Sequence, residues 1–262
     1  MERNFILLGT GAGPGLPSFF CDCVACQEAR NNPRLSRTRS GAFVGDENKK
    51  ILIDASPDLR SQLIREKISE IDCMFLTHWH YDHFGGLGEI EYFVKLKRRR
   101  PILAYLPPSA VQEFEDAFPN LADVLEVKPW EFERQYHLGG FRLTPLPANH
   151  GIETAGFLVE SELTRIAYFP DTAGLPEATG RNVYEVDWLI CDATFHGENW
   201  FPHSHMSIEQ AIDLGRSTQA QKTVLTHLAI HYSQPVTESQ LTEKVARFGN
   251  VIVAYDGMRI KF

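Results

Sequence analysis

Thr77-His78-Trp79-His80-Tyr81-Asp82-His83 brings three imidazoles and a carboxylate into a stretch of chain too short to keep them apart. Gathered in a fold, such groups are costly for stability alone, because their lone pairs need partners and protonated histidines repel one another. A metal ion resolves both problems, since neutral imidazole and carboxylate are ligands for zinc, manganese or iron. His78 and His80 alternate, so in an extended segment both side chains point the same way. Asp82 and His83 follow after the chain turns and can face a second ion. The apolar run Cys73-Met74-Phe75-Leu76 leads in and Phe84-Gly85-Gly86-Leu87 leads out, which predicts a buried strand, a ligand-bearing loop and a helix start.

Further polar residues recur where apolar runs end. The strand expected over Phe141–Pro147 delivers His150, that over 166–169 delivers Asp171, and that over 223–225 delivers His227. The run at 186–191 ends likewise in Asp192-Ala193-Thr194. Any one of these alone reads as a loop residue, but together they complete two coordination sets. His78, His80 and His150 can hold one ion, Asp82, His83 and His227 another, and Asp171 can bridge them. A second cluster is Cys21, Cys23 and Cys26; the remaining cysteines, Cys73 and Cys191, lie in apolar runs as core thiols. Three close thiols form either a redox relay or part of a structural zinc site, and a reducing cytosol favours zinc.

The elements that must position these groups follow from periodicity. A strand at 4–8 enters the turn-rich Gly9-Thr10-Gly11-Ala12-Gly13-Pro14-Gly15, which lacks the following helix of a dinucleotide loop and is expected to line the site instead. A short helix ends near Asn31, and strands at 40–44 and 50–54 pair. Helices are expected at 59–67 (Leu59, Leu63 and Ile64 on one face), 89–96, 110–118 with Ser109 as cap, 207–220 with a Ser207/Gln210 capping box, and 237–248. A strand at Ile102–Leu106 lies between them. The stretch 121–140 has no clear period, with His137 as a turn residue, and 250–262 reads as a hairpin turning at Asp256-Gly257. Strands and helices alternate imperfectly and both halves are strand-rich. The expected class is α/β (α+β), two packed sheets with helices outside, in a single domain over 1–262 with a Cys-rich loop near 19–31.

Composition narrows the function classes. The chain is 43% hydrophobic and 23% charged, ordinary for a globular protein, and no apolar run approaches the ~20 residues that span a bilayer. The N-terminus lacks a signal peptide's long apolar region, so a cytoplasmic location with no membrane partner is expected. A net charge of -8 argues against an extended nucleic-acid interface. Lys97-Arg98-Arg99-Arg100 reads as a solvated helix end, and Arg37 or Arg39 could contact a phosphate.

The order H-x-H-x-D-H, His150, Asp171, His227 resembles the metallo-β-lactamase superfamily, which implies an αββα sandwich with its ligands along one edge. Aspartate rather than cysteine at position 171 is similar to the phosphodiesterase and glyoxalase-type branches. Gly9-Thr10-Gly11, Cys21-x-Cys23-x-x-Cys26, Pro145-Leu146-Pro147-x-Asn149-His150, Asp171-Thr172-Ala173-Gly174-Leu175-Pro176 and Asp256-Gly257-Met258 narrow the resemblance to the PhnP-like phosphoribosyl 1,2-cyclic phosphate phosphodiesterases, over essentially the whole chain. The resemblance implies hydrolysis of a small cyclic phosphate diester with two divalent ions (Mn2+ or Zn2+) at the active site. It also implies a structural Zn2+ on Cys21, Cys23, Cys26 and a histidine. The family places that histidine where this chain has Ile230; His231, one residue on, is the available substitute. His205, in Ser204-His205-Met206-Ser207, matches the catalytic histidine and is the expected general acid, while Asp82 ligates and orients water. His196 and His203 line the pocket, and related proteins imply a homodimer. Two other readings stay open: a metal-binding accessory protein of pyrroloquinoline quinone biosynthesis, and a tRNA 3′-processing ribonuclease, whose long basic arm this chain lacks.

Overall fold

The computed structural model describes residues 3–262. The first half of the chain supplies β1 (Asn4–Gly9), β2 (Gly41–Gly45), β3 (Lys50–Ile53), β4 (Cys73–Phe75), β5 (Ile102–Leu106) and β6 (Leu125–Pro129). The second half supplies β7 (Tyr136–Leu138), β8 (Phe141–Pro147), β9 (Ala155–Glu160), β10 (Arg165–Phe169), β11 (Trp188–Asp192), β12 (Lys222–Thr226) and β13 (Val251–Val253). The last strand, β14 (Arg259–Lys261), returns to pair with β1. Two seven-stranded sheets result among the described residues, ordered β14-β1-β2-β3-β4-β5-β6 and β13-β12-β11-β10-β9-β8-β7.

The strands are apolar on both faces because both faces are covered. In β1, Phe5 and Leu7 point into the core between the sheets, while Ile6 and Leu8 join the outer layer. In β10, Ile166 and Tyr168 face inward and Ala167 and Phe169 outward. Strand alternation thus feeds two cores with one run of hydrophobic residues. Helices α2 (Leu59–Glu66), α4 (Ile90–Tyr92, continued by a π turn over Phe93–Arg98) and α5 (Val111–Ala117) cover the first sheet. Helices α1 (Val24–Asn31), α7 (Ile208–Ser217) and α8 (Glu238–Ala246) cover the second, with short α3 (Tyr81–Phe84) and α6 (Glu177–Asn182) between strands. The layers run helix, sheet, sheet, helix, as expected.

Strand direction decides where the site lies. β3 and β4 are parallel, as are β10, β11 and β12, and two antiparallel steps bring β8 into line with β10. Residues that follow these strands therefore emerge together at one edge of the sandwich.

Several expectations are corrected. The segment 250–262 is not a hairpin: β13 belongs to the second sheet and β14 to the first. The expected turn at Asp256-Gly257 does form, but as a crossing between the sheets, with the Asp256 carboxylate accepting hydrogen bonds from the backbone and hydroxyl of both Thr10 and Thr38. His137 lies within β7, paired opposite Arg142, and the stretch without clear period contains β6 as well. Ser109 makes no side-chain cap, since a 3-10 turn over Pro108–Ala110 opens α5. Ile64 is 62% exposed on α2, and Leu59 and Leu63 alone face the core. The Ser207/Gln210 capping box is present in full.

The loop carrying the histidines is held by a close backbone approach at Gly86, whose N–H donates to Ala55 O at 2.7 Å. A Cβ at Gly86 would sit 2.0 Å from Ser56 O, a rigid backbone atom. Gly86→Ala should therefore cost about 1–3 kcal/mol of stability, as overpacking does, read as a lowered denaturant midpoint with unchanged slope; an unaltered midpoint would contradict the packing described.

Candidate metal centre

His78 and His80 follow β4, Asp82 and His83 lie in α3, and His150, Asp171 and His227 follow β8, β10 and β12. Ligand atoms of His78, His80, His150 and Asp171 lie within 4.8 Å of one another, and so do those of Asp82, His83 and His227. The two sets meet at Asp171. Its Oδ2 is 3.3 Å from His78 Nε2 and 3.6 Å from both His83 Nε2 and His227 Nε2, and its Oδ1 is 3.3 Å from His150 Nδ1. Asp82 Oδ2 closes the second set at 3.6 Å from His83 Nε2 and 3.5 Å from His227 Nε2.

Outer partners fix which nitrogen each ring presents. Asp54 Oδ2 lies 2.8 Å from His83 Nδ1, and Ser204 O lies 2.8 Å from His150 Nδ1, so both rings donate outward and turn the Nε2 lone pair inward. Thr77 Oγ1 stands 3.1 Å from Asp54 Oδ1 and 2.9 Å from His78 Nδ1. Its single proton goes to the carboxylate, which leaves it to accept from His78. Thr194 Oγ1 donates to His227 O at 3.0 Å and accepts from His227 Nδ1 at 2.9 Å in the same manner. His80 differs and presents Nδ1, 3.0 Å from His78 Nε2 and 3.1 Å from His150 Nε2. These outer bonds orient and strengthen metal-ligating imidazoles.

The inner atoms are left without partners. His83 Nε2 and His227 Nε2 are buried and make no hydrogen bond, a state that costs about 1–3 kcal/mol per group. Oxygen and nitrogen donors converging at an otherwise unsatisfied centre fit divalent cations. The field is polarised to match. Burial opposes ionisation of Asp171 and Asp82, but His227 and His205 around the first and His83 and His227 around the second outweigh it and hold both below the usual carboxylate range. Burial, then His83, lowers the His78 pKa to about 3. Burial also opposes protonation of His83, yet Asp82 and Asp54 raise its pKa well above the ordinary value. A cation entering the second set must displace that proton.

His205, just before α7, joins the centre from outside. Its Nδ1 is 2.9 Å from Asp171 Oδ1 and 2.9 Å from Asp192 Oδ2. Against the opposing effect of burial, the two carboxylates raise its pKa to about 10. Asp192 could itself be counted a ligand, since it groups with Asp171, His205 and His227. Its oxygens are already engaged by the backbone N–H groups of Thr172, Thr194 and Met206, which makes it a fixed support.

Of the other expected residues, Gly13 does approach the centre, its Cβ position 3.4 Å from Asp82 Oδ2. Arg37 is buried on Glu238, Thr10 and Ala254 O, and Arg39 pairs with Asp58, so the structure gives both a fold-holding role. His196 Nδ1 is 2.7 Å from Gln234 O, and His203 is exposed. Sγ atoms of Cys21, Cys23 and Cys26 lie within 4.8 Å of one another at the start of α1. His231 is outside that group: Ile230 takes the core-facing position, and the His231 ring rests on Tyr232 with neither nitrogen hydrogen-bonded. A groove of about 280 Å³ over α2, lined by Leu63, Ile64 and Phe93 among others, contains none of the cluster residues.

The profile of a beta-lactamase superfamily domain matches residues 49–228, from β3 to the histidine after β12. The chain belongs to that superfamily. A crystal structure of a diphosphatase from the PhnP family superposes with a TM-score of 0.87 at 25% identity, covering 100% of this chain and 98% of that one. Coenzyme PQQ synthesis protein B of Methylobacterium radiotolerans is 28% identical over 72% of each chain. An octanoyltransferase of Porphyromonas gingivalis is 27% identical over 86% of this chain but only 46% of its own length, so this chain spans less than half of that relative. A diphosphatase is thus among the solved neighbours, and with the superfamily's fold and its own clustered donors this chain is a metal-dependent hydrolase. No helix among the described residues is long and apolar enough to cross a membrane.

Sequence reasoning gave no role to Asp54, Asp192, Thr77 or Thr194. The signal for both carboxylates was present, since each terminates a buried run, Ile51-Leu52-Ile53-Asp54 and Leu189-Ile190-Cys191-Asp192. Asp54→Asn keeps the shape but offers His83 an amide, and should weaken divalent-metal binding about 10–100-fold, measured by competition with a chromophoric chelator while circular dichroism stays unchanged. Wild-type affinity in Asp54→Asn would remove Asp54 from the metal centre.

Proposed function

We propose that this hydrolase is a dinuclear phosphodiesterase acting on a small phosphate diester, with a cyclic sugar phosphate such as phosphoribosyl 1,2-cyclic phosphate as the favoured substrate. The observation that carries the reading is Asp171, whose Oδ2 lies 3.3 Å from His78 of one donor set and 3.6 Å from His83 and His227 of the other, with His205 at 2.9 Å from its Oδ1. Whole-chain similarity to a PhnP-family diphosphatase supports it.

His78, His80 and His150 would hold one divalent ion and Asp82, His83 and His227 the other, with Asp171 between them; manganese and zinc both suit these donors. When bound, such a pair stabilises charge on phosphoryl oxygens and lowers the pKa of water. The chain's own groups do the rest. Asp82, partly open to solvent, orients the attacking water. The water oxygen bonds to phosphorus, the phosphorus–oxygen bond to the sugar breaks, and His205 gives the departing oxygen its proton. Asp192 holds the His205 ring in place and favours the imidazolium that a general acid needs. The products are a monoester and a free hydroxyl; the attacking water's proton leaves to solvent, and solvent returns a proton to His205. Away from this centre, Cys21, Cys23 and Cys26 would supply three thiolates to a structural zinc, with His231 reaching the fourth position through a local shift of the 230–232 segment.

A second reading, a metal-binding accessory protein of cofactor biosynthesis, rests on the 28% identity to a coenzyme PQQ synthesis protein. The acid-bearing loop next to a complete donor set favours catalysis.

Leaving-group chemistry tests the assignment of His205. His205→Ala should retain bound metal and slow a ribose cyclic phosphate about 10²–10⁴-fold. Bis(p-nitrophenyl) phosphate should suffer much less, because nitrophenolate departs without a proton. Equal losses on the two substrates would exclude the acid role, and unaltered turnover with metal retained in His78→Ala would exclude the site itself. For the cysteines, Cys23→Ser should lower zinc content by about one per chain and reduce thermal stability; an unchanged zinc count would leave the thiols unliganded.

A further inference from the structure

The glycine-rich loop after β1 touches the second donor set at two places. Beside His227, Leu228 N–H donates to Thr10 O at 2.9 Å and Ala12 N–H donates to Leu228 O at 3.3 Å. At the tip of the loop, the Cβ position of Gly13 lies 3.4 Å from Asp82 Oδ2. The other side of the loop is tied to residues 37–39. Gly11 N–H donates to Thr38 O at 2.8 Å, and Leu16 and Arg37 exchange backbone hydrogen bonds at 2.9 and 2.8 Å. The tip itself is held by a side chain: Arg39 Nε donates to Gly13 O at 3.0 Å. Asp58 fixes that guanidinium in turn. Its two oxygens lie 3.1 and 3.2 Å from Arg39 Nη1, and its Oδ2 also accepts from the Arg39 backbone N–H at 2.9 Å.

The members of the second set are unequally supported. His83 is held from behind by Asp54 and His227 by Thr194. Asp82 has no such hydrogen-bonding partner among the described residues, and its side chain is 18% exposed where those of His83 and His227 are 0% and 2%. A partly open carboxylate is free to turn toward water, and ordering it costs free energy when an ion binds. A fixed backbone segment lying against it lowers that cost beforehand. We propose that Arg39 is a positioning residue for the second ion: by gripping Gly13 O it keeps the loop against Asp82 and raises the metal affinity of Asp82, His83 and His227, touching neither ion nor substrate. The inference rests on the dinuclear reading and adds to it a residue from outside both donor sets. The grip depends on a planar fork, because Nε and Nη1 of one rigid group serve Gly13 and Asp58 together. A lysine ammonium has the charge without that geometry.

Manganese titration of the metal-free protein tests this, followed by calorimetry and by the exchange-coupled paramagnetic resonance signal of a manganese pair. Wild type should bind in two steps. Arg39→Gln should weaken one step about 10–100-fold and leave the other unmoved, with the coupled signal delayed to higher manganese. Anomalous density from crystals at limiting manganese should show the weakened site between Asp82, His83 and His227. Arg39→Lys should behave like Arg39→Gln. In Arg39→Ala, added ethylguanidinium should draw the weakened step back toward wild type, and ethylammonium should not. If circular dichroism shows Arg39→Gln to be unfolded, Asp58→Asn, which frees the guanidinium, should give the same selective weakening. Both steps weakened equally, neither step moved, or the loss found at the His78 site would each overturn the role of Arg39. Full affinity in Arg39→Lys would reduce it to a charge at the rim and overturn the grip. Uptake of a single ion by wild type would instead remove the dinuclear reading, and this inference with it.

Discussion

At the open edge of the sandwich, a fixed acceptor takes the proton on the outer nitrogen of one imidazole after another. Asp54 does this for His83, Ser204 O for His150, Thr77 for His78 and Thr194 for His227. Each bond sets a tautomer; those of His78, His83 and His227 turn a lone pair toward Asp171, and that of His150 turns one toward His80 Nδ1. The unsatisfied atoms that result would destabilise an ordinary interior. Here they persist because the surrounding strands are packed on both faces and leave the rings no room to rotate toward other partners. The centre is thus a consequence of sheet construction as much as of its ligands.

The support carboxylates divide the work. Asp54 binds Thr77 and His83 together, so one buried side chain fixes ligands on both sides of the H-x-H-x-D-H loop. Asp192 holds the His205 ring through Oδ2 and the Met206 backbone through Oδ1, and it also anchors Thr194. His205 and the second donor set are therefore placed by the same strand end, β11. Catalytic geometry of this kind needs rigid supporting groups, and the sequence spends two fully buried aspartates on it.

The ligand set was legible in the chain because ligands are reactive residue types at strand ends, and strand ends can be read from apolar runs. His78, His80, Asp82, His83, His150, Asp171 and His227 were found this way, and the structure brings all of them together. What could not be read was which sheet a short strand joins. β13 and β14 flank Asp256-Gly257 as a hairpin would, yet the buried Asp256 carboxylate binds Thr10 and Thr38, far away in sequence. Such long-range satisfaction of a buried charge has no local signature. β6 and β7 escaped because their residues are half exposed or mixed, leaving no clean period of two. Asp54 and Asp192 escaped for the opposite reason: they look like ligands, and only the geometry makes them supports. His231, beside the core residue Ile230, is itself buried with both ring nitrogens unpartnered.

The central claim is that Asp171 joins two ions in one centre. Crystals of the manganese-loaded protein, with anomalous data collected at the manganese edge, test it most directly. The account predicts two peaks about 3.5–4 Å apart, with the Asp171 carboxylate contacting both, His78, His80 and His150 around one and Asp82, His83 and His227 around the other. A single peak at full occupancy, or two peaks with Asp171 turned away from either, would contradict it.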